Sequence, residues 1–535
     1  MHLPRLSLLA VALAVAAAPL AAQHEGHAAA ADSAPPLYGE ALGPFTWPIT
    51  TSSPKAQAYF DQGVKLMYAY AREHARPSFA EARRLDPRCA MCWWGEAWSM
   101  GAYLNGAMDD TDAPASDAAA RRARELAANG PPLERALTEA MTARYAPSHP
   151  AGGRRGLDSA YVRAMEVVYD RFPGDLQVAT LYADAMMLLE PRRGVWSLSK
   201  PSVARIHQVL ERGLAADISH SGVCHAYIHA TETTPRAGQA QLCADLLVTA
   251  MPGASHLNHM PSHTYNRVGR WEDAVNSNVL AVESDRRAAA DSSRAVSVYA
   301  GHNLHMLLYA AAVDGQEARA MEAADAFAAL GGTADATSHA ALVRTRFGRW
   351  NDALALTGEP ANPVHRGLVA FARGYAHLRL GARDSAAVLL ARVDSLAVSA
   401  AGQRVRGHSA ASLLGIVGGL LRGEMARADG RMDDAVAEFE VAVALEDALQ
   451  YDEPEPLPFA ARDWLGAALL EMGRAADAEK VYRAGLEDRP NNGWSLFGLE
   501  QALRAQGRSA EADEAKARFD TAWARSRTTL RSTRF

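Results

Sequence analysis

Histidine is the side chain with the most chemistry to offer in this 535-residue chain, and eight of its eighteen histidines fall between His220 and His305. They come in three strings: ISHSGVCHAYIHATE with His220, His225 and His229, SHLNHMPSH with His256, His259 and His263, and GHNLHML with His302 and His305. Spacings of three and four residues place such imidazoles on one face of a helix. Imidazole-rich sites suit zinc, copper, nickel or iron, and the affinity order favours copper. HMPSH lacks the glutamate of an H-E-x-x-H metalloprotease signature. Pro261 inside it is tolerated only in a helix's first turn, which leaves His256 a place in the preceding loop.

The four cysteines fall as Cys89 with Cys92, and Cys224 with Cys243. DPRCAMCWWGEAW reads either as a redox pair or half of a thiolate metal site, or as a local disulfide or two buried thiols. No second C-x-x-C exists, which excludes a four-thiolate zinc site, and tryptophan stands where a c-type haem motif needs histidine. Cys224 and Cys243 sit on the two helices of one expected hairpin, so they can form a staple, while Cys224 is also a candidate to complete a metal's ligand set. Trp93, Trp94 and Trp98, with Tyr68 and Tyr70, serve either as core or as a ligand platform. HEGH near the N-terminus offers at most a weak metal trap. No Gly-rich phosphate loop, nucleophile elbow or paired-carboxylate motif stands out.

The elements that must position these residues show as an internal repeat of about 34 residues. In DWLGAALLEMGRAADAEKVYRAGLEDRP, Gly466 takes the eighth place, Gly473 the fifteenth, Ala478 the twentieth, Tyr482 the twenty-fourth and Pro490 the thirty-second. This is the tetratricopeptide-repeat (TPR) pattern, in which small residues let two antiparallel helices approach and an aromatic fills the gap. Gly63, Ala75, Phe79, Ala82 and Pro87 repeat it near the start, and Gly423, Gly430, Ala435 and Phe439 repeat it later. The expected fold is all-α, a right-handed α-solenoid of roughly nine to eleven TPR hairpins. Residues 55–300 form an N-terminal array with insertions and the histidine cluster, and 301–525 a C-terminal array. In a TPR solenoid the second, fifth, ninth and twelfth places of each first helix line the concave groove. Glycine and alanine landmarks put His256 and His302 at the second place, His225, His259 and His305 at the fifth, His229 and His263 at the ninth, and Glu232 at the twelfth.

The opening MHLPRLSLLAVALAVAAAPLAAQ reads as a signal peptide over 1–22, too short for a membrane span. A poorly ordered leader over 23–54 is expected after it, and a basic tail over 526–535 at the other end. The location implied is periplasmic or secreted, which permits disulfides. A formal charge of -6 without a long basic run argues against nucleic acid, and no later apolar segment is long enough for stable membrane insertion.

Beyond the repeat, FDQGVKLMYAY, LDPRCAMCWWGEA, LERALTEAM, HAYIHATE, MPGASHLNHMPSHTYNRVGRWEDAVNSN and HNLHML resemble a group of exported bacterial TPR proteins, over roughly 50 to 350. The resemblance implies a fold and a location and carries no reaction or catalytic residue. Cys224 departs from the group, which usually has a polar residue there. Three functions follow as expectations. In the first, the groove binds a transition metal, zinc or copper, through His225, His229, His256, His259, His263, His302, His305 and Glu232, with Glu232 as ligand or as orienter of a ligand. In the second, the protein is an adaptor for a peptide or protein in the groove, its histidines bonded to one another or to that ligand. In the third, a groove metal activates water, with Glu232 as base.

Overall fold

The computed structural model describes residues 34–191, 194–331 and 336–535. The expected signal peptide, residues 23–33 of the leader and HEGH lie outside the described residues. From Pro35 onward the chain forms one unit. It is an all-α solenoid: successive helices pack in antiparallel pairs, and each pair packs on the next. There are 25 α-helices among the described residues, and Ser255–His259 with Pro261–Val268 act as one, so the array holds twelve hairpins. The count exceeds the expected nine to eleven because stretches read as insertions fold too. Ala113–Ala127, for example, within a stretch of about 105–130 expected as an insertion, is a helix that packs against Ala90–Met100.

The repeat landmarks have a direct steric meaning. A Cβ on Gly63 would lie 2.5 Å from the Phe79 ring, one on Gly423 2.3 Å from Phe439, and one on Gly466 2.4 Å from Tyr482. In each hairpin the glycine at the eighth place is thus the seat of the aromatic at the twenty-fourth. The turn seven residues after that glycine needs a left-handed residue, supplied by Gly430 (φ 77°) and Gly473 (φ 73°). In the first hairpin the same turn is made by Tyr70 (φ 53°).

The apolar core divides at the helix Thr337–Arg346 rather than near residue 300: one part runs from Leu42 to Val343, the other from Leu342 to Phe535. Both flanking segments pack on the array. In the stretch expected as leader, Leu42 and Trp47 are buried, Asp61 accepts from the Trp47 amide at 2.9 Å and from Thr46 at 2.6 Å, and Ala41 accepts from the Gly253 amide at 2.7 Å. In the basic tail, Phe535 sits among Tyr375, Phe459 and Trp464, with ring centroids 5.2, 5.3 and 4.5 Å away. Buried apolar side chains, Leu42 at one end and Phe535 at the other, anchor what composition alone marks as polar and loose.

Both cysteine pairs are disulfides, Cys89–Cys92 and Cys224–Cys243. Cys224 is therefore a staple between Ser221–Glu232 and Gln241–Ala250 and not a metal ligand. Trp94 and Trp98 are core residues, and Trp93 lies under the Arg83 guanidinium at 4.6 Å.

Candidate metal centre

Three first helices of consecutive hairpins carry the imidazoles. Ser221–Glu232 starts at His220, whose Nδ1 accepts from the Val223 amide as an N-cap, and whose Nε2 faces Gln177 at 3.1 Å, away from the other histidines. His225 and His229 follow one turn apart. Pro261 begins its own short helix, and Met260 keeps helical dihedrals (φ -51°, ψ -37°), so His256 lies on the helix Ser255–His259 and not in a loop. Ala300–Val313 contributes His302 and His305.

Six of the seven expected histidines converge as two triads: His225, His229 and His256 in one, His259, His263 and His302 in the other. Within each triad one ligand atom per residue lies within 4.8 Å of the others. The triads are adjacent, with ring centroids of His256 and His259 5.6 Å apart and those of His229 and His263 5.9 Å apart. His305 stands apart. Its Nδ1 accepts from Arg406 at 3.2 Å, and its ring packs with His339 at 4.3 Å and Phe327 at 5.4 Å.

Hydrogen bonds at Nδ1 decide which nitrogens are lone pairs. His225 Nδ1 meets the Tyr68 carbonyl at 2.5 Å and His229 Nδ1 meets Glu232 Oε1 at 2.9 Å. His259 Nδ1 meets Asn278 Oδ1 at 2.9 Å, an amide whose orientation is set by its own donation to the Ala274 carbonyl. These partners only accept, so each ring carries its proton on Nδ1 and presents a lone pair at Nε2. The Nε2 atoms of His225 and His229 then face each other at 3.1 Å, and those of His259 and His263 at 2.7 Å. A neutral His225 and His229 oppose two lone pairs at 3.1 Å, which repel unless a cation lies between them, whereas at 2.7 Å His263 donates its Nε2 proton to His259. Two nitrogens bound at about 2.0–2.1 Å to a tetrahedral ion lie about 3.3 Å apart, close to the first separation. His256 completes the first triad with both ring nitrogens buried and lacking any hydrogen-bond partner, a costly state for a polar ring that a metal ion would relieve.

His263 is the exception in charge. Its Nδ1 stands 2.5 Å from Glu232 Oε2 and 2.7 Å from Glu453 Oε2. Burial opposes a charge there, but the two carboxylates outweigh it and raise the pKa to about 10. Without metal, His263 is an imidazolium that donates from Nε2 to His259, so a metal at this triad must displace that proton. Burial first, then the neighbouring imidazoles, hold His225, His256, His259 and His302 well below the ordinary histidine pKa, so these four are neutral and ready to bind a metal.

Glu232 thus contacts the outer nitrogen of one histidine in each triad, the arrangement that orients metal-bound imidazoles and increases their basicity. Glu453 shares that role and was not foreseen. It lies 190 residues from His263 in the loop between Met432–Asp447 and Arg462–Glu471, and no local spacing links the two. Arg406 holds this loop, with a two-pronged bond to Asp452 at 2.7 and 2.8 Å.

No protein-family model matches the sequence, and no curated protein matches it. Among solved structures the chain is similar to the Cut9–Hcn1 hetero-tetramer of APC/C, at 13% identity and TM-score 0.30 over 87% of this chain and 90% of that one. It is also similar to a human IFIT1 dimer with m7Gppp-AAAA, at 12% and 0.31 over 88% and 90%, and to the P58(IPK) TPR domain, at 12% and 0.23 over 85% and 99%. Likenesses this distant carry no argument about the site. The chain's own stacked hairpins, with glycine and aromatic landmarks in register, make an all-α solenoid of TPR-type hairpins.

Proposed function

We propose that this protein is an exported TPR scaffold that holds a pair of transition-metal ions, one in each histidine triad, with copper the first candidate. The observation that carries this reading is the set of tautomers fixed by Tyr68, Glu232 and Asn278, which turns Nε2 of His225, His229 and His259 toward the other rings of their triads, with the unpartnered nitrogens of His256 beside them. The ligand set is all imidazole, without thiolate, because all four cysteines are in disulfides. Such sites suit copper ahead of zinc in affinity. Two stapled cysteine pairs also fit the oxidising compartment that the leader implies. Glu232, once the candidate base for water activation, is engaged by imidazole nitrogens, which favours metal holding over hydrolysis.

Elemental analysis of untagged protein after exposure to copper and dialysis tests this reading. Two ions per chain are expected, with one lost in His256→Ala. A chain that retains none, and takes up neither copper nor zinc, ends the proposal. A second reading, peptide binding, has its own observation: residues 526–535, without regular secondary structure, are held by side chains and backbone carbonyls of several hairpins.

A further inference from the structure

The two triads differ in how they meet solvent, and this deepens the paired-metal reading on which it rests. His225, His229 and His256 are all buried, whereas His302 of the second triad is half-buried. Three tyrosines from three separate hairpins cover the first triad. Tyr70 packs 4.3 Å from His225 and lies flat against His229 (5.5 Å, 7°) and His256 (5.5 Å, 18°). Tyr299 meets His256 edge-on at 5.1 Å. Tyr103 packs on Tyr70 at 5.1 Å, and its hydroxyl joins that of Tyr299 at 2.5 Å. The ring contacts of His302 are with His259 and His263 of its own triad.

The backbone marks the same residues. Tyr70 (φ 53°) and Tyr299 (φ 61°) are both left-handed, a conformation that bulky side chains avoid. Tyr70 stands at the turn where Gly430 and Gly473 serve other hairpins. An aromatic ring has thus replaced the residue that the turn favours, at the position that covers the imidazoles, and strain of this kind gathers at functional sites. Tyr70 and Tyr103 also line, with Asp184 and His225, a small pocket of about 30 Å³ at the edge of the triad.

We infer that Tyr70, Tyr103 and Tyr299 form a lid that covers the first triad, so that organic ligands and chelators reach metal first at the second triad. The two ions then exchange at different rates, and a ligand of organic size engages the ion held by His259, His263 and His302.

The test is the release of copper from the fully loaded chain into excess EDTA, followed by absorbance in a rapid-mixing experiment. Wild type should give two phases of equal amplitude at least about tenfold apart in rate, as expected of a covered and an open site. Tyr70→Gly, which suits the left-handed turn and so preserves the fold, should bring the slow phase close to the fast one. Tyr103→Phe, which removes only the hydroxyl joined to Tyr299, should accelerate the slow phase severalfold. His302→Ala should abolish the fast phase. Two ions leaving wild type in a single phase, or a slow phase unmoved in Tyr70→Gly, would overturn the lid and leave the paired sites standing. A chain that binds no copper would instead overturn the reading beneath it.

Discussion

The N-terminal and C-terminal halves of this solenoid share one hairpin geometry but fill it differently. Between Ser221 and Val313 the first helices direct imidazoles at one another. Between Pro363 and Ala505 the equivalent helices present Tyr375 and Trp464, and the chain's own Phe535 occupies the space between them. The second half closes by ordinary apolar burial. The first half is closed around polar rings, among them His256 with both nitrogens unpartnered, which on the proposed reading a cation completes. Stacking geometry decides where side chains meet, and residue type at the groove positions decides what they do there.

Changes that remove a metal ligand should separate the halves most sharply. His259→Ala with His263→Ala should eliminate the second ion and lower the melting temperature of the copper-loaded protein, because bound metal at 1,000 times its dissociation constant contributes about 4 kcal/mol. The metal-free form of the same variant should lose less, only what the ion pair of His263 with Glu232 and Glu453 contributes. An equal loss in both forms would mean that the two residues act in packing.

Phe535→Ala probes the other half. Truncation of a buried phenylalanine costs about 3 kcal/mol, which should appear as faster amide exchange in Pro363–Arg379 and Arg462–Glu471, with copper content unchanged. If copper content fell with it, the halves would not be independent.

Glu453→Gln reaches the centre through His263. Removing an outer-shell partner typically weakens metal binding 10- to 100-fold, about 1.4–2.8 kcal/mol, and competition with a chelator of known affinity would measure it. A variant with wild-type affinity would make Glu453 a bystander.

The smallest effect is in pH. His263, raised to about 10 against an ordinary value near 6.5, stabilises the metal-free fold fully below about pH 6.5 and loses that contribution as pH rises through about 10. The histidines held below the ordinary value act in the opposite sense: they are protonated more readily in the unfolded chain, so stability falls as pH drops below about 6.5. Amide exchange of the metal-free protein at pH 5 and pH 7.5 should therefore show the N-terminal half loosening in acid while the C-terminal half holds.

Much of this was legible in the sequence because glycine, alanine and aromatic spacing fixes a hairpin's register, and register fixes which face a histidine takes. That reasoning assigns His225, His229, His256, His259, His263 and His302 to one face, and the structure brings these six together in two triads. It also sends His305 there, but register along one helix does not say which neighbours lie across the groove, and His305 meets His339 and Arg406 instead. The split into triads, the role of Glu453 and the lid depend on contacts between distant segments. Tyr70 left one trace in the sequence, a tyrosine where the repeat calls for glycine.

Anomalous diffraction at the copper edge from loaded crystals tests the central claim most directly. The account predicts two peaks per chain, one bonded to Nε2 of His225 and His229 with a His256 nitrogen, the other bonded to Nε2 of His259 and His263 with His302. A single peak on surface residues, or loaded crystals with no peak among these six rings, would contradict it.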